Sequence, residues 1–506
     1  MADSIKIGNL DISSFKVGGA DCSIYLGSVK LYPTEPPTPH DYSQDYFTIV
    51  SEEDNNTISL KNTGYSTSTG ATSYWYSVTI SASTDGGSTW SKFTTSRGGT
   101  ATFGTINKGD KILLKSFATK FSNTSSAYHY FDSTKNISAE GNILSLLYGD
   151  NFLSYDSLPS ISRKEKNRTQ QLGCIFKNRT KIISAENLVL KPTTLSPRCY
   201  AGMFQGCTSL TTAPSVLSAT TLADYCYQGM FNSCTSLTAA PTSIGTSTTN
   251  AEHCCYDMFY GCTSLTTAPE LPATTLASSC YSNMFQGCTS LTTAPELPVT
   301  TLAFSCYSFM FNGCTSLTTA PELPASTLVG SCYNRMFYGC TSLSSITCYA
   351  TNISADDCVT SWVDGVASSG TFKKPSNMSS WTTGTSGIPN GWTVEDIQTH
   401  QWVSYSEGDT VPASLIYGVK LYLDLGADNE IDFQDAMQGG GICFMYVADG
   451  DGWYGIDANT SNEIDLSSYY DSTEGCYIVL FSDLGYGGFP IIYPSSEFEF
   501  DVQLYI

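Results

Sequence analysis

Few side chains in this chain are spaced for chemistry. Histidine is scarce: His40, His129, His253 and His400 are scattered. None stands in a recognisable Ser/His/Asp or Cys/His setting, although such partners meet in space and need not be close in sequence. Cysteine is abundant, with 14 of the 19 residues lying between Cys174 and Cys340 and recurring in register, as in Cys280 with Cys288 and Cys306 with Cys314. That recurrence could serve a metal site or a disulfide ladder. It contains no C-x-x-C and no histidine at metal-site spacing. We read the thiols as small apolar groups filling equivalent core slots. Glu270, Glu296 and Glu322 each sit in A-P-E-L-P. Stacked, they would form a row suited to a cation or basic ligand, or a solvated face on which like charges cost little; we take the second reading. Asp449-Gly450-Asp451-Gly452 lacks the other positions of a calcium loop and reads as a turn. Paired glycosidase carboxylates are spaced in three dimensions, so the C-terminal region stays open to them. The expectation is a protein that is not an enzyme, with no catalytic residues, cofactor or metal.

The elements that carry these residues are repeats. The segment CYSNMFQGCTSLTTAPELPVTTLAFS from Cys280 is followed by CYSFMFNGCTSLTTAPELPASTLVGS from Cys306, 26 residues on. Phe204, Phe231, Phe259, Phe285, Phe311 and Phe337 align at spacings of 27, 28, 26, 26 and 26, and a degenerate copy with Ile175-Phe176 lies 28 residues before Phe204. Self-similarity of about 20–29 residues is the signature of leucine-rich repeats. Within one copy Leu276, Ala277, Cys280, Tyr281, Met284 and Phe285 form an apolar stripe at helical spacing. Thr274 or Thr275 could cap that helix, and Gly287 sits where a left-handed terminal residue is wanted. Cys288, Leu291, Ala294 and Leu297 then mark an extended stretch, kept short by Pro295 and Pro298. Each copy is expected to be a strand-turn-helix unit that buries its apolar face only by stacking.

These repeats, with A-P-x-L-P-A-T-T-L and C-Y-x-x-M-F-x-G-C-T-S-L, resemble the BspA-like leucine-rich repeats of surface proteins of gut Bacteroidales and of phages that infect them. The flanks agree: Gly141-Asn142-Ile143-Leu144-Ser145-Leu146-Leu147 resembles the segment leading into such repeats. Gly370-Thr371-Phe372-Lys373-Lys374-Pro375, Trp381 and Gly387-Ile388-Pro389-Asn390-Gly391-Trp392 resemble their closing cap. The resemblance covers about residues 45 to 397. It implies adhesion or recognition, with ligands that vary widely.

Around the repeats, residues 1–32 carry a triplicated apolar-x-apolar-Gly pattern, in which Ile5, Ile7, Phe15, Val17, Ile24 and Leu26 are the apolar positions. Three short strands cannot bury a core alone, so this segment is expected to dock on something larger as a virion attachment module. A stiff proline-rich linker follows at 33–41. Residues 42–152 alternate like a β-sandwich, 172–397 hold the solenoid and its cap, and 398–506 are β-rich and end on Phe498, Phe500, Val502, Leu504 and Ile506 in strict alternation. The expected fold class is multidomain, with β-rich N- and C-terminal domains flanking an α/β leucine-rich-repeat solenoid.

Composition narrows the partners. A net charge of −22 with only 24 Lys plus Arg among 506 residues repels phosphate backbones and anionic lipid, which argues against nucleic-acid binding. No run of 18 or more apolar residues predicts membrane insertion. Residues 1–32 lack a basic then apolar leader, so cytoplasmic synthesis without a secretory signal is expected. Together with the resemblance, this points to a phage virion protein, a tail or head (capsid) fibre assembled in the host cytoplasm. It would join other virion proteins through its N-terminus and present the repeats to a host-surface glycan or protein, as a homo-oligomer (trimer or dimer). The alternative is a bacterial cell-surface adhesin; a glycan-degrading enzyme with accessory repeats is the third reading.

Overall fold

The computed structural model describes residues 40–397, apart from 64–76, 97, 125–126, 160–170 and 379–380; outside that span it describes only the backbone of individual strands. The chain divides into two compact units, Met1–Ile397 and Gln398–Ile506.

Five short strands open the first unit. β1 (Lys6–Ile7) pairs with β2 (Leu10–Asp11), and β3 (Ser14–Lys16), β4 (Ser23–Leu26) and β5 (Val29–Tyr32) form an antiparallel sheet. Ile7, Phe15, Ile24 and Leu26 lie on these strands. Their side chains, and Ile5, Val17 and the linker up to residue 39, lie outside the described residues.

Alternating apolar residues then build two sheets. They use β6 (Phe47–Ser51), β7 (Asn56–Asn62), β8 (Thr79–Ser83), β9 (Ser91–Thr94), β10 (Thr100–Ile106), β11 (Lys111–Ser116), β12 (Ser122–Thr124), β13 (Ala127–Ser133) and β14 (Ile137–Asn142). One sheet runs β9-β8-β11-β6-β14, the other β10-β7-β13-β12. Ile112 and Leu114 of β11 point inward with Ala101 and Phe103 of β10, and Phe47 meets Phe131 across the gap at 5.3 Å between ring centres. A single turn of helix, α1 (Ser145–Tyr148), follows β14.

The repeats grow directly from this sandwich. β15 (Ile182–Ser184) and β16 (Leu188–Val189) of the first coil pair in parallel with β14, extending its sheet. The Phe131 amide donates to the Ile175 carbonyl at 2.8 Å, and Phe131 packs on Phe176. The two share one hydrophobic cluster. Gly141 permits the join: its φ is +78°, and a Cβ there would lie 2.1 Å from the Tyr46 carbonyl oxygen.

The coils correct the expectation of an α/β solenoid. The described chain is β-rich and has one α-helix, α1, which lies outside the coils. Where a helix was expected, the backbone makes consecutive turns. In one coil φ is positive at Ser279 (53°), Asn283 (57°) and Gly287 (76°), every fourth residue. Ser282, Met284 and Gln286 donate to carbonyls three residues back. Tyr281, Asn283, Phe285 and Gly287 instead donate to Cys306, Ser308, Met310 and Asn312 of the next coil, at 2.7–3.1 Å. A helix would use these amides internally; here half of them join neighbouring coils. The apolar pairs recur every four residues, not every 3.6, and that is the period of the turns. Left-handed backbone costs a non-glycine residue roughly 1–2 kcal/mol, which the cross-coil bonds and buried pairs offset. No helix follows for Thr274 or Thr275 to cap, and both amides donate to the Thr248 carbonyl of the preceding coil. The extended stretch is reduced to isolated bridges such as Thr267 with Thr293.

Between the left-handed residues the pairs point inward. Cys280, Tyr281, Met284, Phe285 and Cys288 are all buried. The phenylalanines stack from Phe176 to Phe337 at 5.3–5.8 Å, with planes within 8° of parallel. Trp362 and Trp381 close the far end, the Trp362 indole donating to the Gly387 carbonyl and the Trp381 indole to that of Ala350. The last coils settle into parallel strands β17 (Ser345–Thr347), β18 (Thr371–Pro375) and β19 (Thr393–Ile397).

In the second unit β20 (Trp402–Tyr405), β21 (Gly418–Leu423), β24 (Tyr470–Asp471), β25 (Cys476–Leu480) and β27 (Phe500–Tyr505) form an antiparallel sheet ordered β20-β27-β21-β25-β24. β22 (Met445–Val447) pairs with β23 (Trp453–Gly455) and β26 (Pro490–Ile491). Of the alternating C-terminal segment, Phe500, Val502 and Leu504 lie on β27, and Phe498 and Ile506 fall outside the described residues. The turn at 449–452 lies outside the described residues.

Candidate functional site

The coil thiols have a structural task. Cys234, Cys262, Cys288, Cys314 and Cys340 each place Sγ 3.0–3.1 Å from the carbonyl oxygen of Phe204, Phe231, Phe259, Phe285 and Phe311, on the preceding coil. Each thiol thereby donates a weak hydrogen bond to a buried carbonyl. Burial pushes Cys207, Cys288 and Cys340 up to about 12, so they stay protonated and unreactive near neutral pH. The sixteen described cysteines are buried and none is disulfide-bonded, and no group of three His, Cys, Asp or Glu is placed to hold a metal among the described residues.

The histidines are dispersed. His40 meets Asp45 on the surface. His129 is buried in the sandwich, with Nε2 2.9 Å from Asn62 Nδ2 and 2.8 Å from Thr95 Oγ1. His253 lies on the coils, and His400 falls outside the described residues.

Two faces of the coils differ in kind, one exposed and the other largely half-buried. One is uniform. Thr208, Thr235, Thr263, Thr289 and Thr315 stand in register, each hydroxyl after the first donating to the threonine carbonyl of the coil before, at 3.3–3.4 Å. Glu270, Glu296 and Glu322 are exposed at equivalent positions of successive coils. The other face varies along the stack. The left-handed position just before each Met-Phe pair holds Gly202, Gly229, Asp257, Asn283, Phe309 and Arg335 in turn. Four residues earlier it is Arg198, Tyr225, His253, Ser279, Ser305 and Ser331.

On this varied face lies a groove of about 320 Å³. Its floor is Gly202 and Gly229, and its walls carry Lys177, Arg198, Gln205, Gln228, Asn232 and Asp257. The Arg198 guanidinium lies 3.8 Å from the Tyr225 ring centre, and Tyr225 stacks on His253 at 4.7 Å. Arg198 Nη1 also donates to Gln228 Oε1 at 2.9 Å. At the far end Asn283 Nδ2 donates to Asp257 Oδ1 at 3.0 Å, while burial raises the Asp257 carboxyl above its ordinary value. The arrangement offers charge and amides on a preformed rim, suited to binding. Sequence reading singled out the Glu row and passed over this groove. The available signal was the pair Ala201-Gly202 and Gln228-Gly229, where later copies carry larger residues.

Compared with known proteins, the chain matches no family model, no curated protein and no solved structure. No helix among the described residues is long and apolar enough to cross a membrane.

Proposed function

We propose that this chain is a virion structural protein of the tail- or head-fibre kind, whose coils display a recognition face to a host-surface glycan or protein. The observation that carries the reading is the split between a nearly constant interior and one varied face. Near-identical copies keep Cys, Met, Phe and Leu inside, with Tyr in all but the Cys254-Cys255 copy, yet vary the residue at the left-handed position before Met-Phe from Gly202 and Gly229 to Asp257, Asn283, Phe309 and Arg335. A scaffold that is only structural has no need of such variation on one side, and the uniform threonine face shows none. The resemblance of the repeats to BspA-like surface proteins supports the same reading. So do the paired short strands before the proline-rich linker, which suit attachment to a larger assembly.

The test uses the full chain. Clustered on beads it binds susceptible cells, and as a free monomer it binds much less, because weak single contacts gain from multivalency. Labelled antibody against it decorates purified virions, and deletion of residues 1–39 abolishes incorporation. Failure of the clustered chain to bind any susceptible host would sink the recognition reading. Its absence from virions, with cell binding retained, would move the protein to the surface-adhesin class.

A further inference from the structure

We infer that the groove over Gly202 and Gly229 binds an anionic saccharide, carboxylated or sulfated. The inference rests on the display reading above and names the ligand class of one part of that face.

Three observations carry it. First, the groove exists because two consecutive coils carry glycine where later coils carry Asp257, Asn283, Phe309 and Arg335. Backbone conformation does not demand those glycines. The column holds φ of +61° at Gly202 and +58° at Gly229, but equally +57° at Asn283, +56° at Phe309 and +49° at Arg335. What glycine adds here is space, and the resulting volume falls at the lower end of the ~300–1,000 Å³ typical of small-ligand sites.

Second, the charge is out of place for the chain. Between Lys191 and Lys373 the only Lys or Arg residues are Arg198 and Arg335, in a protein of net charge −22. Arg198 meets no carboxylate among the described residues; its partners are the Gln228 amide oxygen and the Tyr225 ring, both neutral. Its guanidinium is held in place with no carboxylate in direct contact among the described residues, and Lys177 lines the same groove. A guanidinium fixed in this way suits a carboxylate or sulfate.

Third, the rest of the lining suits hydroxyls. Gln205, Gln228 and Asn232 provide amide donors and acceptors, and Asp257 adds an acceptor at the opposite end from Lys177. An acidic peptide would instead call for apolar side-chain pockets beside the cations. A saccharide presents an anion and a series of hydroxyls, in the order the groove presents cations and amides.

The test transplants residues between coils. Gly202→Asn with Gly229→Asn fills the groove with the residue that occupies the same column as Asn283; Arg198→Ser installs the residue of Ser279, Ser305 and Ser331. Both changes suit the coil backbone, and a cooperative thermal melt verifies folding. Calorimetric titration of the full chain uses oligogalacturonate, a chondroitin sulfate oligosaccharide and a neutral malto-oligosaccharide. At least one anionic saccharide binds, the neutral one does not, and each variant weakens binding by about tenfold or more. The first two titrations separate carboxylate from sulfate. Equal binding of the neutral sugar, or unchanged affinity in the filled-groove variant, overturns the inference. So does cell binding by the clustered chain with no affinity for either anionic saccharide, which leaves the display reading standing. Loss of cell binding itself removes both.

Discussion

His129 gives the sandwich a measurable pH dependence. The ring is fully buried, and its Nε2 sits between Asn62 Nδ2 and the Thr95 hydroxyl, both able to donate to a neutral imidazole. Burial lowers its pKa from 6.5 to about 4. Because the folded value lies below the unfolded one, the unfolded chain takes up the proton first. The stability tied to neutral His129 is complete above pH 6.5 and is lost as pH falls towards 4. The shift corresponds to about 3 kcal/mol in full, of which about 2 kcal/mol is lost between pH 7.5 and pH 5. Urea denaturation at those two pH values should therefore show wild type losing about 2 kcal/mol more than His129→Gln, whose side chain does not titrate. The variant's own destabilisation does not enter, since each protein is compared with itself. Parallel pH slopes for the two proteins would refute the placement of a neutral histidine in this core.

Phe285 stacks between Phe259 and Phe311, each at 5.7 Å, so Phe285→Ala should cost about 3–5 kcal/mol, read from denaturant curves. Hydrogen exchange should then open the coils on both sides of the substitution, because each coil is held by its neighbours. Thiol titration under denaturing, non-reducing conditions should find the coil cysteines reduced; six or seven disulfides would mean a covalent ladder. Neutralising Glu270, Glu296 and Glu322 together to Gln should change stability by no more than about 0.5 kcal/mol, since all three are exposed. A larger loss of stability would show that the row does more than face solvent.

The sequence revealed the repeat register, because similar copies every 26–28 residues leave no other alignment. It also pointed to the cysteines as interior residues and to Gly287 as left-handed, which its φ of +76° bears out. It misled on the helix. Residues 280, 281, 284 and 285 satisfy a helical stripe over two turns, and only longer comparison separates a period of 4 from 3.6. The deciding fact is where the amides of Tyr281, Asn283, Phe285 and Gly287 go, and those partners lie a full coil away. The groove was hidden for a related reason. Gly202 and Gly229 each look like an ordinary turn glycine until the column is seen to tolerate Phe309 and Arg335.

That tolerance also explains how one coil design serves both stability and recognition. Alternate amides bind the coils together through the backbone, so the cross-coil ladder makes no demand on the side chain at each left-handed position. The inward pairs satisfy the core, and the thiols satisfy the phenylalanine carbonyls. What remains at Gly202, Gly229, Asp257, Asn283, Phe309 and Arg335 is a side chain with few structural obligations beyond a shared φ. Replacing glycine there costs roughly 1–2 kcal/mol, exchange among the other residues costs less, and distant coils are left untouched. The outward face can therefore be rewritten coil by coil without rebuilding the stack. Glycine at two adjacent coils is the one choice in that column that makes a concavity, and Arg198 stands beside it, held by Gln228 and Tyr225. Their coincidence in the same two coils is what singles out this part of the face.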